Sequence, residues 1–281
     1  MTRSMDSLKA FVARNGGGLR IEPRPGVLIV GAGKGGVGTS TVSALMALGA
    51  AERGLRVLLV DADENVGGLH LLFGLPDPGP GIGALKGGDV TPSELLVGVS
   101  PGLQLLPGGG AAEDGTLAGA VAERRTLLSR VASLYERFDL VVVDGGSRLE
   151  SVMAACRTGA ERLMAVTAPD RISLAAGYAL FKVARVRFPD LPVEVVVNGT
   201  SSSNADEVFS VVQAAAATFL ASPLSHAGSV PEDAALHAAL EAGRTIQDAG
   251  PGSDALEAVG RWVHRFDPHI GQSSLPLIRQ G

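Results

Sequence analysis

Residues 33–41 read Gly33, Lys34, Gly35, Gly36, Val37, Gly38, Thr39, Ser40, Thr41. Glycines at this density let backbone amides come close to a phosphate, and Ser40 is spaced to put its hydroxyl on a magnesium ion bridging terminal phosphates. The pattern of a glycine, four residues, then Gly-Lys-Ser/Thr is met at every position but one. Thr39 stands where the lysine belongs. Three carboxylates complete the set. Asp144 follows the apolar residues 140–143, the placement of an acidic group that holds magnesium through water in phosphoryl transfer. Asp61 and Asp63 are one residue apart, so in extended backbone they point oppositely, one toward the metal and the other toward an attacking water. The chemistry these residues suit is polyphosphate binding with a divalent cation. The competing reading, aspartates that only cap helices, weakens when all three follow apolar runs.

The elements that must position these groups are legible as short apolar runs. Residues 27–30 and 57–60 precede the glycine-rich loop's helix and the Asp61 pair, and residues 103–106, 140–143, 163–167 and 193–197 continue the series. Between them, Val42, Leu45, Met46 and Gly49 recur at helical spacing until Gly54, and further helices are expected at 117–135 and 173–186. Alternation of this kind specifies an α/β fold with a mostly parallel, doubly wound sheet and helices on both faces. Ligands then bind at the carboxyl ends of the strands, where the loop and all three aspartates fall.

Composition narrows the classes. The chain has 281 residues, 46% of them hydrophobic and 4% aromatic, and a formal net charge of −5. One large domain over 26–267 is expected, with an arm at 1–25 and a tail at 268–281. The acidic balance disfavours whole-surface nucleic-acid binding. The single cysteine, Cys156, cannot form an internal disulfide and falls in an apolar segment, so it reads as core in a reducing cytoplasm. The five histidines show no metal-ligand spacing. In the arm, residues 6–13 can form a short helix with apolar Leu8, Phe11 and Val12 before Gly16, Gly17 and Gly18; a partner-binding helix and a plain terminus both remain open. Ser253 can cap a last helix whose Leu256, Val259, Val263 and Phe266 form one apolar stripe beside Trp262. Packing on the domain is the favoured use of this stripe, and peripheral membrane contact the other.

Lys34-Gly35-Gly36-Val37-Gly38 resembles the deviant phosphate loop of the MinD and ParA family, phosphate-loop NTPases of the SIMIBI class whose extra lysine precedes the glycines. Asp61-Ala62-Asp63, Leu69, Phe73-Gly74-Leu75, Leu106-Pro107-Gly108-Gly109, Tyr178-Ala179-Leu180-Phe181-Lys182, Val196-Val197-Asn198 and Val230-Pro231-Glu232-Asp233 resemble its flagellar branch, the FlhG or FleN proteins. The resemblance implies ATP and ADP with Mg2+ as cofactors and a nucleotide-dependent homodimer in which Lys34 reaches the partner's phosphates. Ser40, Asp61 and Asp144 would serve the metal, Asp63 would orient the attacking water, Asn198 would contact adenine, and Pro231 and Glu232 would close over the base. It also implies partners among the FlhF GTPase, flagellar switch components or a flagellar transcription activator.

Three departures qualify these expectations. Thr39 removes a cation from the phosphates, so slow or absent hydrolysis is expected. Gly145-Gly146-Ser147-Arg148 replaces the family's usual switch sequence; Arg148 either reaches a phosphate or is a solvated loop residue. The strongly basic amphipathic tail of membrane-bound members is not evident. The alternatives are a TadZ- or CpaE-like localisation scaffold of pilus assembly, in which a loop without the lysine is familiar, and a ParA-like partitioning protein.

Overall fold

The computed structural model describes residues 21–63, 68–109, 117–220, 224–250 and 252–267. The helix expected at 6–13 and the tail from 268 onward lie outside them.

The six apolar runs form six strands: β1 (Val27–Ala32), β2 (Val57–Asp61), β4 (Leu103–Leu106), β5 (Leu140–Asp144), β6 (Arg162–Thr167) and β7 (Val193–Asn198). Two more, β3 (Val97–Ser100) and β8 (Ser225–Val230), extend the sheet at its edges. The strand order is β3-β4-β2-β5-β1-β6-β7-β8, parallel except for the antiparallel β3–β4 pair. Neither edge strand shows an apolar run. β3 is half exposed, and β8 is built of small and polar residues, with Gly228 shaped to the indole of Trp262. A Cβ on Gly228 would stand 2.5 Å from that ring.

The helices are α1 (Thr39–Ala51), α2 (Leu69–Leu72), α3 (Leu117–Val131), α4 (Leu149–Cys156), α5 (Arg171–Arg187), α6 (Ser202–Leu220), α7 (Ala234–Glu241) and α8 (Asp254–Val263). Each strand of the interior is buried on both faces, as its unbroken apolar run requires. One layer joins Leu45 and Leu48 of α1 to Val259 and Val263 of α8, and the other joins Leu127 and Leu128 of α3 to Val152 of α4 and Phe181 of α5. α1, sandwiched between sheet and α8, is buried nearly all round.

One expectation shifts in detail. The helix expected through Tyr135 ends at Val131 and tightens into a 3-10 turn, Ala132–Arg137, which turns the Tyr135 ring inward to meet Arg24 and the Thr158 hydroxyl. The last helix is capped as expected: the Ser253 hydroxyl accepts from the Leu256 N–H at 3.1 Å. Its stripe is covered by the domain, with Val259, Val263 and Phe266 all buried. Cys156 is fully buried, and burial pushes its thiol up, so it is a core residue. No described helix is long and apolar enough to cross a membrane.

Candidate nucleotide site

The loop between β1 and α1 is shaped by glycines at two kinds of position. Gly38, the residue before α1, has φ +85°, a conformation that disfavours any side chain. Gly33 faces another constraint: a Cβ there would stand 2.0 Å from the Ala176 carbonyl oxygen, so only glycine lets the loop lie on α5. The first-turn N–H groups of α1 have no intrahelical partners and carry the positive end of its dipole. They are the groups that the sequence pattern expects to face a phosphate. Thr39, the first residue of α1, is buried, and its carbonyl accepts from the Ser43 hydroxyl.

Two of the three aspartates end strands as expected. Asp61 closes β2 and Asp144 closes β5, and the two are direct neighbours across the sheet. The loop after Asp144 is held against β1, with the Gly145 N–H donating to the Val30 carbonyl and the Ala32 N–H to the Gly146 carbonyl. Asp144 is wholly buried. One carboxylate oxygen accepts from the Gly146 N–H at 3.0 Å, while its Oδ2 has no hydrogen-bond partner. Burial pushes this carboxyl up to about 7; the Ser40 hydroxyl and the Gly146 amide pull it down, too weakly to offset the loss of water.

A buried, unsatisfied carboxylate oxygen beside Ser40 fits a divalent cation. Among the described residues no three His, Cys, Asp or Glu side chains gather to hold an ion alone. Magnesium is held by one or two carboxylates while water and phosphate oxygens complete its shell, and Asp144 and Asp61 stand side by side here. Ser40 and Asp144 would hold it directly or through water, with Asp61 behind. The ion, when bound, neutralises phosphate charge.

Asp61 ends β2 in extended backbone, whereas Asp63 lies beyond the strand. The chain turns after β2, and the Asp61 carboxylate closes that turn by accepting the Asp63 and Leu69 N–H groups, each at 3.2 Å. Burial chiefly raises the Asp61 carboxyl. Asp63 lies two residues beyond β2, and its carboxyl rests on the α-carbon of Gly146, where an added Cβ would stand 2.8 Å away. The segments that follow β2 and β5 therefore meet at Asp63 and Gly146.

Lys34 is turned toward Asp170, the residue capping α5, with Nζ 3.8 Å from its Oδ2. Both side chains are more than a third exposed, so water screens the pair and it holds the lysine loosely. Arg148 precedes α4 and is exposed. Alongside the loop, a cavity of about 670 Å³ is lined by Thr41, Asn198, Pro231, Glu232, His237 and Leu240. It brings together the three residues expected at a base. Asn198 also braces the loop, because its Nδ2 donates to the Val37 carbonyl at 2.8 Å and so ties the end of β7 to the phosphate cradle.

Sequence reasoning passed over one residue of this site. Arg124, on α3, is 5% exposed, and its Nη2 donates to the Asp63 carbonyl at 3.1 Å. The signal that could have found it was its phase: it falls three and four residues before Leu127 and Leu128, on the buried face of α3, whereas Arg125 is exposed.

Residues 26–177 match a family model described as cellulose biosynthesis protein BcsQ. Antiactivator FleN of Pseudomonas aeruginosa is 25% identical over 242 residues, covering 86% of both chains. The flagellum site-determining protein YlxH of Helicobacter pylori is 29% identical over 157 residues, 56% of this chain and 52% of that one. Among solved structures, septum site-determining protein MinD complexed with Mg-ADP, from Pyrococcus horikoshii, superposes with a TM-score of 0.70 at 20% identity, covering 90% of this chain and all of that one.

Proposed function

The chain belongs to the MinD/ParA-type family of phosphate-loop ATPases, and on that premise we propose that it is an ATP-binding switch controlling the placement or number of flagella through a nucleotide-dependent homodimer. The observation that carries the flagellar reading is the likeness to antiactivator FleN over 86% of both chains. The site supports the switch. ATP with magnesium would lie on the α1 cradle, its base in the cavity beside Asn198, Pro231 and Glu232, and the metal beside Ser40, Asp61 and Asp144. Asp63 orients the attacking water. Lys34, loosely held at Asp170, leaves to meet the phosphates of a second copy. Without a lysine at position 39, hydrolysis is slow, and the loaded state is long-lived. The FlhF GTPase, flagellar switch components or a flagellar transcription activator would read that state.

Light scattering on the purified chain tests the switch. A dimer is expected with ATP and magnesium and a monomer with ADP, and Lys34→Ala should remain monomeric with either. A wild-type monomer under both conditions would overturn it. A second reading, a localisation scaffold for polymer or pilus export, is favoured by the BcsQ match together with Thr39. Deleting the gene separates the two: altered flagellar number supports the first, unaltered flagella with lost export the second.

A further inference from the structure

We infer that Arg124 is a positioning residue that pins the main chain carrying Asp63, and with it the turn that holds Asp61, to the carboxyl end of the sheet. An arginine on the inward face of a helix is costly to bury unless its donors are used. Arg124 is 5% exposed, shares the buried face of α3 with Leu127, Leu128 and Val131, and directs Nη2 at the Asp63 carbonyl. The same turn is closed from the other side by Asp61, whose carboxylate takes the Asp63 N–H. The peptide units flanking Asp63 are therefore held twice, on the carbonyl by Arg124 and on the amide by Asp61.

The consequence is local rigidity at the point where the two loops meet. Asp63 presses on Gly146, whose N–H is bonded to the Asp144 carboxylate. A shift of the Asp63 main chain would be felt at Asp144 through that contact. Arg124 also places a positive charge near Asp61, which lies beside Asp144 across the strands. Because it acts through the main chain of Asp63, it orders the site from behind the carboxylates rather than from the phosphate cradle. Its effect on turnover rests on the nucleotide-switch reading; its effect on the turn does not.

The test uses the full chain with Arg124→Gln, which is shorter and uncharged, and Arg124→Lys, which keeps the charge and a donor. Amide hydrogen exchange is followed by NMR at Asp63 and Leu69, the two amides bound to Asp61, with Val142 in β5 as the internal reference. In Arg124→Gln, exchange at Asp63 and Leu69 should rise at least tenfold with Val142 unchanged, and Arg124→Lys should fall between it and wild type. If turnover is measured, kcat should fall with nucleotide affinity within about twofold of wild type. Unchanged exchange at both amides, or an equal rise at Val142, would overturn the inference. Should the glutamine variant not fold, wild-type exchange in Arg124→Lys overturns it alone. A wild type that binds no nucleotide yet shows the expected pattern would refute the switch and uphold Arg124's place; a wild type that binds nucleotide, with variants exchanging normally, would do the reverse.

Discussion

Replacing Thr39 by lysine is expected to tighten ATP binding in magnesium roughly ten- to hundredfold. A charge-assisted hydrogen bond contributes about 1.5–3 kcal/mol, which converts to that range of affinity. Thr39 begins α1 and is buried, so a lysine there would carry its charge at the first turn of that helix. Turnover should rise further, by about a hundredfold, because a cation at the transferred group acts more strongly on the transition state than on the bound nucleotide. Calorimetry and phosphate release on the two proteins measure both effects. Equal affinity and equal turnover would mean that another cation already serves the phosphates, and Lys34 of a second copy would be the first to examine.

The second large effect concerns the opposite end of the sheet. Glu194 of β7 is 6% exposed and accepts from two arginines, Arg162 of β6 and Arg265, with Arg265 Nη2 2.6 Å away. Arg265 and Arg162 also lie over the Phe266 ring, at 4.8 and 5.4 Å from its centre. The carboxylate therefore fastens the residues after α8 to the sheet. Glu194→Ala leaves two partly buried guanidinium groups without that acceptor. Breaking a buried pair costs about 3–5 kcal/mol, and because each arginine keeps roughly a third of its side chain in water the lower end, ~3 kcal/mol, is expected. In a domain of this size that is a fall in melting temperature of about 6–12 °C. A fall of less than about 2 °C would mean that Glu161, which also pairs with Arg162, together with water replaces the lost acceptor.

The interior of the fold is legible in sequence because parallel strands covered on both faces must be apolar throughout. Residues 57–60 and 140–143 are of this kind, and each announces the aspartate that follows it. The edges obey different rules. β8, Ser-His-Ala-Gly-Ser-Val, has little apolar surface of its own and is stabilised by Trp262, a residue more than thirty positions later. No local pattern could reveal that contact. The cradle is equally plain, since Gly38 and Gly33 are demanded by a positive φ and a close approach to α5. Geometry beyond the chain's own periodicity was hidden. The bond that ties the Asp63 N–H back to Asp61 depends on a side chain accepting from the backbone, and Arg124 reaches the Asp63 carbonyl from a helix some sixty residues away. Asn198 likewise reads as a residue for a base, while its bond to Val37 depends on where β7 ends relative to the loop.

The switch depends on a cradle that takes ATP and magnesium without its lysine. Calorimetric titration of the wild-type chain with ATP in magnesium, repeated with EDTA, decides whether it does. Micromolar binding is expected, weakening at least tenfold when magnesium is removed, because the buried Asp144 Oδ2, without a hydrogen-bond partner, would gain one in the metal. No heat of binding in either buffer, with binding appearing in Thr39→Lys, would contradict it and leave the chain a scaffold that keeps the fold without the ligand.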